Sequence, residues 1–269
     1  MKNYHKFTIF GGSGFIGKNL VNYLRNLGYE VFAPSRNEKL PIKINLGHVI
    51  FAIGITGNFR GRPFDTIESN VSILAKYMQS STYNSWLFLS SARIYGVHKD
   101  FASETDYLEV FPSQDSIYDI SKLLAESLCM SINNPKIRIA RISNVYGASQ
   151  SRNTFLGSLL SDISLKKKLL IKESKDSSKD YISISDLTEI LVKISIDGKN
   201  RIYNVASGKP ITHLDLSKSL KKYTKEPIFF EDNGVLRVFP QINISRIEKE
   251  FNFKAKSLLD DLPDLIKHS

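Results

Sequence analysis

The stretch FGGSGFIGKNL, Phe10 to Leu20, constrains the fold of this chain more than any other. It follows the apolar run KFTIF and opens a segment of helical period, FIGKNLVNYLRNL, so its glycines lie where a strand turns into a helix. Gly12, Gly14 and Gly17 satisfy G-x-G-x-x-G, and Gly11, Gly14 and Gly17 satisfy G-x-x-G-x-x-G. Glycine permits the tight turn, lets the backbone approach a pyrophosphate and allows a helix to pack closely on a strand. The helix N-terminus then offers its N–H groups to the anion. A glycine turn that served packing alone would not require this register of strand, turn and helix, so the stretch reads as a nucleotide-binding turn.

The same alternation continues. The runs EVFAP, HVIFAIGI, SWLFLSS and KIRIARIS are separated by segments such as DTIESNVSILAKYMQ, whose apolar residues recur at helical period. Strands this apolar are covered on both faces, which predicts an α/β fold, a Rossmann-type doubly wound parallel sheet with flanking helices. Residues 1–150 read as a dinucleotide-binding domain, with 180–208 (DYISI and RIYNVAS) returning to its sheet. Residues 151–179 and 209–269, where strands and helices alternate irregularly, read as a smaller α+β substrate-binding lobe. Only 12 residues separate Ser35 from His48, near the minimum for a parallel crossover, so a full helix scarcely fits there.

At 269 residues and 42% hydrophobic, the chain can bury one large core with an appended lobe. Its apolar runs are too short to cross a bilayer, and MKNYHKF carries no cleavage pattern, so a cytoplasmic location is expected. Cys129 is the sole cysteine, which excludes an intrachain disulfide and a cysteine-based zinc site. The five histidines show no ligand spacing, so no metal is expected. A net charge of +10 suits an anionic partner. The cations are mostly dispersed, and the run Lys166 to Lys168 is not interleaved with aromatics. That disfavours nucleic acid and leaves a diphosphate-bearing small molecule.

Where the second strand ends, an acid would accept from an adenosine ribose 2′-hydroxyl. EVFAPSRN offers Ser35 and Arg36 instead, a hydroxyl and a guanidinium suited to a 2′-phosphate, so NADP is favoured over NAD.

In SIYDISKLLAES, Tyr118 and Lys122 lie four residues apart, on one face of the expected helix. Of the 12 tyrosines, Tyr95 alone repeats the spacing, with Lys99, and there the adjacent glycine argues against a helix. Ser116 reads as the helix cap, with Asp119 three residues on. A free phenol titrates near pH ~10, and a nearby ammonium, with the positive nicotinamide of a bound cofactor, favours the phenolate.

Together these pieces resemble the extended short-chain dehydrogenase/reductases, in particular the nucleotide-sugar epimerase and dehydratase group. GGSGFIG matches the cofactor turn of that family, LFLSSARIYG its serine-bearing strand, YDISK its Tyr-x-x-x-Lys and RISNVYG its sixth-strand signature. KDYISISDL and RIYNVASGKPIT look like its later junctions. The resemblance implies catalysis by Ser91, Tyr118 and Lys122. Tyr118 would be the proton carrier, Ser91 would hydrogen-bond the reacting oxygen, and Lys122 would also hold the nicotinamide ribose. It implies cofactor contacts from Gly11, Ser13, Gly14, Phe15, Ile16, Gly17, Ser35, Arg36, Ala52, Gly54, Ile55, Asn70 and Ser90. Substrate contacts would come from Ser91, Arg93, Asn144 and Arg237.

Sugar 4,6-dehydratases of the group carry an Asp-Glu pair directly after the serine or threonine, where this chain has Ala92 and Arg93. Dehydration loses its proton carriers, and the decarboxylating relatives their glutamate. The expectation is an NAD(P)-dependent nucleotide-sugar epimerase working by hydride exchange at a ring carbon, or an NADPH-dependent reductase of a nucleotide-linked 4-keto sugar. A non-catalytic dinucleotide sensor or RNA-binding relative is the third reading. The resemblance also implies a homodimer through the helices carrying Asn70 and Tyr118.

Overall fold

The computed structural model describes residues 5–36, 38, 40, 44–97 and 100–268. Lys99 and the first four residues, on which the Tyr95 pairing and the N-terminal reading bear, lie outside that set. The strand–helix alternation read from the sequence is present. The first part comprises β1 (Lys6–Phe10), α1 (Phe15–Asn26), β2 (Glu30–Phe32), β3 (His48–Phe51), α2 (Pro63–Ile67), α3 (Ile73–Ser80), β4 (Ser85–Ser91), β5 (Phe101–Ala102), α4 (Ile117–Ser131), β6 (Ile137–Ile142) and β7 (Asn144–Tyr146). A π-helical turn, Glu68–Ser72, joins α2 to α3. The second part comprises α5 (Phe155–Ser164), β8 (Leu169–Glu173), β9 (Ser178–Lys179), β10 (Tyr181–Ser183), α6 (Ile184–Asp197), β11 (Ile202–Val205), β12 (Ile211–Thr212), α7 (His213–Leu220), β13 (Ile228–Val235), β14 (Gln241–Ile242), α8 (Ser245–Phe251) and α9 (Leu258–Lys267).

Six strands form one parallel sheet in the order β11-β6-β4-β3-β1-β2. Side chains alternate across each strand, so neighbouring residues feed opposite cores. In β4, Leu87 and Leu89 join Phe7, Ile9, Ile50 and Ala140 beneath Leu20 and Leu24 of α1 and Leu187 and Leu191 of α6. Trp86 and Phe88 join Phe10, Val49, Phe51, Ile137 and Ile139 beneath Leu74 of α3 and Ala125 and Cys129 of α4. Each fully buried large apolar side chain contributes about 1.5–3 kcal/mol. A one-residue slip of β4 would move its whole set to the wrong core, which fixes the register.

The chain leaves β1 in opposite directions toward β2 and β3, so a crevice opens at the C-terminal ends of β1 and β3, the position where open α/β sheets take ligands. The segment from β2 to β3 contains no helix among the described residues, as its shortness predicts. No described helix is long and apolar enough to cross a membrane.

RIYNVAS supplies β11, which joins the main sheet beside β6. DYISI does not return to that sheet, against expectation. Its strand β10 pairs in parallel with β7, because β11 already fills the place beside β6. A second apolar cluster gathers Leu156 and Leu160 of α5, Leu169 and Ile171 of β8, Leu216 and Leu220 of α7, and Leu258 and Leu262 of α9. Helix α9 is absent from the sequence reading because Pro263 lies inside it. Burial of Leu258, Leu262 and Leu265 offsets the lost N–H bond.

Candidate active site

Gly11 follows β1 with φ +81°, a conformation open to glycine at little cost, and any Cβ there would lie 2.8 Å from the Ala52 carbonyl. Gly17, in the first turn of α1, would place a Cβ 2.1 Å from the Gly11 carbonyl oxygen. These two glycines are needed for packing. Gly14 is different. A Cβ there would meet nothing described beyond its chain neighbours except the Gly11 oxygen at 3.4 Å, so its bare backbone faces open space. It precedes α1, whose first turn carries no acid. Ser13 and Gly14 are exposed and Phe15 and Ile16 half-buried, with Phe15 directed toward Gly147. This is a cradle for a pyrophosphate on a helix N-terminus.

Ala52, Gly54 and Ile55 follow β3 across the crevice. A Cβ on Gly54 would lie 2.9 Å from Asn70 Oδ1 and 3.3 Å from Lys122 Nζ, so the three converge. Asn70 lies in the π-helical turn and donates through Nδ2 to Ser121 Oγ at 2.9 Å. Its Oδ1 and the Ser90 hydroxyl are buried with no hydrogen-bond partner among the described residues. Buried polar atoms without partners are costly, and a ribose or carboxamide would satisfy both. The residues present therefore fit a nicotinamide dinucleotide.

Ser35 and Arg36 are exposed beyond β2. The backbone N–H of Ser35 donates to the Glu38 carboxylate at 2.9 Å, and Glu38 returns its own N–H to the Ser35 carbonyl at 3.2 Å. The turn thus carries both a cation and an acid. Glu38 was visible three residues beyond Ser35, but it lies past the expected strand end and was not counted.

Ser91 ends β4 and accepts from the Arg93 N–H at 3.2 Å, capping the 3-10 turn Ala92–Tyr95. Tyr118 lies in the first turn of α4, close enough to Ser91 for the serine hydroxyl to favour its phenolate. The serine and the tyrosine therefore share one pocket. Burial pushes the Tyr118 phenol up to about 12, against the opposing effect of the Ser91 hydroxyl. Of the two charges expected to favour the phenolate, the Lys122 ammonium does not by itself lower the phenol. Lys122 Nζ is 5.8 Å from the Tyr118 ring centroid and donates to the Leu89 carbonyl at 2.9 Å. Burial lowers Lys122 itself to about 8, partly opposed by Glu126.

The expected cap is also corrected. The Ser116 hydroxyl turns back to the Ser113 carbonyl at 3.0 Å, and Asp119 accepts from Arg93 Nε at 3.0 and 3.2 Å. A guanidinium within reach outcompetes the capping arrangement, because its bonds to a carboxylate are charge-assisted.

Phe59 packs on Tyr118 at 5.4 Å between ring centroids, with the guanidinium of Arg60 at 4.6 Å and that of Arg93 at 5.1 Å from its ring. Arg60 pairs with Asp115, and that bond, with the nearby charges of Arg93 and Arg237, holds the Asp115 carboxyl below its ordinary range. Arg237, half-exposed, has Nη1 4.0 Å from Glu173, which also pairs with Lys179 at 2.6 Å. Asn144 is exposed and donates through Nδ2 to the Asp180 carbonyl at 2.9 Å. Arg93 and Arg237 thus act on a common rim residue, whereas Asn144 is tied to β10. Arg60, Lys179 and Phe59 were missed by sequence reasoning. The signal for Phe59 was its setting between Gly57 and Gly61 just past a strand end.

The chain matches the model of the NAD dependent epimerase/dehydratase family over residues 7–206. A GDP-6-deoxy-D-talose 4-dehydrogenase from Aggregatibacter actinomycetemcomitans is 26% identical over 224 residues, covering 76% of this chain and 74% of the relative. A UDP-glucuronic acid 4-epimerase from Bacillus cereus, solved with UDP-glucuronic acid and NAD, superposes with a TM-score of 0.80 at 19% identity over 98% of both chains. RMD from Pseudomonas aeruginosa, solved with NADPH, gives 0.78 at 20% identity over 97% of both. At such identities the structural likeness shows a shared fold.

Proposed function

Because the chain belongs to the NAD dependent epimerase/dehydratase family, we propose that it is an NAD(P)-dependent nucleotide-sugar epimerase acting by hydride exchange at one ring carbon. The observation that carries this reading is the convergence of Ser91 and Tyr118 on one pocket, with Lys122 one turn along α4 and beside Gly54 and Asn70. The nicotinamide, when bound, takes up and returns the hydride. The chain's own residues do the rest. Tyr118 exchanges the hydroxyl proton of the sugar, Ser91 holds the same oxygen in place, and Lys122 and Asn70 hold the nicotinamide ribose side. Gly14 and the first turn of α1 hold the pyrophosphate. Ala92 supplies no proton carrier, and Arg93 is engaged by Asp119, which supports simple hydride exchange over elimination.

In the same reading, 1–150 with 180–208 serve the dinucleotide, while 151–179 and 209–269 serve the sugar nucleotide, with Arg93, Asn144 and Arg237 on the substrate side. The enzyme works in the cytoplasm as a homodimer, which would cover Leu124 and Met130, half-exposed on α4.

One further observation favours a second reading, an NADPH-dependent reductase of a 4-keto sugar. A phenol held near 12 is protonated at neutral pH and ready to donate to a carbonyl oxygen. Incubation with a panel of nucleotide sugars and their 4-keto forms separates the two readings. An isomer formed without net cofactor oxidation supports the epimerase, and stoichiometric consumption of NADPH supports the reductase. Silence across the panel with intact cofactor binding would leave the sensor.

The cofactor preference proposed is NADP, through Ser35 and Arg36. Arg36→Ala is expected to weaken NADPH about tenfold or more while barely changing NADH, the scale of a lost charge-assisted contact. Equal losses, measured by cofactor fluorescence, would place the preference elsewhere.

A further inference from the structure

Arg141 lies in β6, opposite Ser90 of β4 on one side and Asn204 of β11 on the other. It is buried, as are Glu126, Tyr95 and Asn204. A cation inside a sheet covered on both faces is costly unless it is paired and hydrogen-bonded. Here every part of the fork is used. Nη2 and Nε donate to the Glu126 carboxylate at 2.8 and 3.1 Å, and Nη1 donates to the Tyr95 hydroxyl at 2.9 Å. Tyr95 donates onward to Asn204 Oδ1 at 2.6 Å, and the Asn204 N–H donates to Glu104 at 3.1 Å. Burial holds the Tyr95 phenol near 12, so it remains a donor.

The ends of this network sit on the two elements that carry the chemistry. Tyr95 closes the 3-10 turn that Ser91 opens. Glu126 lies one helical turn beyond Lys122 and two beyond Tyr118 on α4, on their face. Ser91 and Tyr118 are 27 residues apart in the chain, so nothing covalent holds them together. We propose that Arg141 is a positioning residue, whose guanidinium fixes the separation of Ser91 from Tyr118 and Lys122 by gripping Tyr95 with one arm and Glu126 with the other. The planar fork suits that task, because it presents donors in two fixed directions where an ammonium offers one point charge. The inference rests on the reading of Ser91, Tyr118 and Lys122 given above for what is being positioned.

The test uses Tyr95→Phe, which removes one hydroxyl and no carbon, and Arg141→Lys, which keeps the charge and loses the fork. Crystal structures of wild type and both variants give the Ser91 Oγ to Tyr118 hydroxyl distance directly. Both variants are expected to lengthen it by about 1 Å relative to wild type. On whichever nucleotide sugar reacts, kcat is expected to fall about tenfold to a hundredfold with KM unchanged, the scale of a misplacement near 1 Å. A wild-type distance in either folded variant overturns the proposal, whether or not a sugar substrate has been found. So does a drop in melting temperature with distance and kcat intact, which would mark a purely structural ion pair.

Discussion

Tyr118→Phe is expected to bind NAD(P)H as the wild type does and to turn over its nucleotide sugar about a hundredfold more slowly or worse. The substitution deletes the phenolic oxygen alone. The ring that packs on Phe59 at 5.4 Å remains, so the pocket keeps its shape. Lys122, Asn70 and the glycine turn, assigned above to the dinucleotide as a proposal, are untouched. The lost atom is the one on which the Ser91 hydroxyl acts. Steady-state kcat, read beside cofactor fluorescence titration, checks both halves. An undiminished rate would remove Tyr118 from the chemistry.

The second large effect is expected at the glycine turn, where two neighbouring alanine substitutions should behave differently. Gly17→Ala forces a Cβ to 2.1 Å from the Gly11 carbonyl oxygen, with backbone on both sides of the contact. No side-chain rotation relieves it, so β1 and α1 must separate. The expected result is loss of measurable cofactor binding and about 2–3 kcal/mol of stability, the range for overpacking a tight interior contact. Gly14→Ala meets only the same oxygen at 3.4 Å, an ordinary contact. It is expected to fold with wild-type stability and to weaken the cofactor by blocking the approach of a pyrophosphate. Chemical denaturation and cofactor titration of both variants separate packing from ligand contact. Equal stability losses in the two would mean that Gly14 is there for the fold.

Much of the architecture was legible because its signals are local and repetitive. HVIF, SWLFLSS and IRIARI are mostly apolar on both alternating faces, a pattern that means burial on both sides of the sheet. The short path from Ser35 to His48 left scarcely room for a helix, and none occurs there among the described residues, since chain length is a local property. Helix α9 escaped because proline argues against a helix interior, and only burial in the second cluster offsets it. DYISI was assigned to the wrong sheet because an apolar strand carries no mark of its partner. That choice depends on which edge β11 had already taken.

The candidate site divides in the same way. The glycine turn and the Tyr118–Lys122 spacing are motifs within one element. The partner of Asp119 is not. Sequence proximity assigned it to a cap with Ser116, and the folded chain gave it to Arg93, 26 residues away. The surroundings of Tyr118 divide likewise. Spacing set the lysine near the tyrosine, while burial, which outweighs it, belongs to no single segment.

By itself the sequence determined the sheet, the glycine turn at the head of α1 and the candidate reactive side chains, because each is written in periodicity or spacing along a few consecutive residues. Only the tertiary structure decided which groups meet. The Ser91–Tyr118 contact, the unpartnered atoms of Asn70 and Ser90, and the fork of Arg141 between Tyr95 and Glu126 all depend on distances between separate elements. Those distances are set by how two cores pack on the faces of one sheet, which no stretch of sequence carries alone.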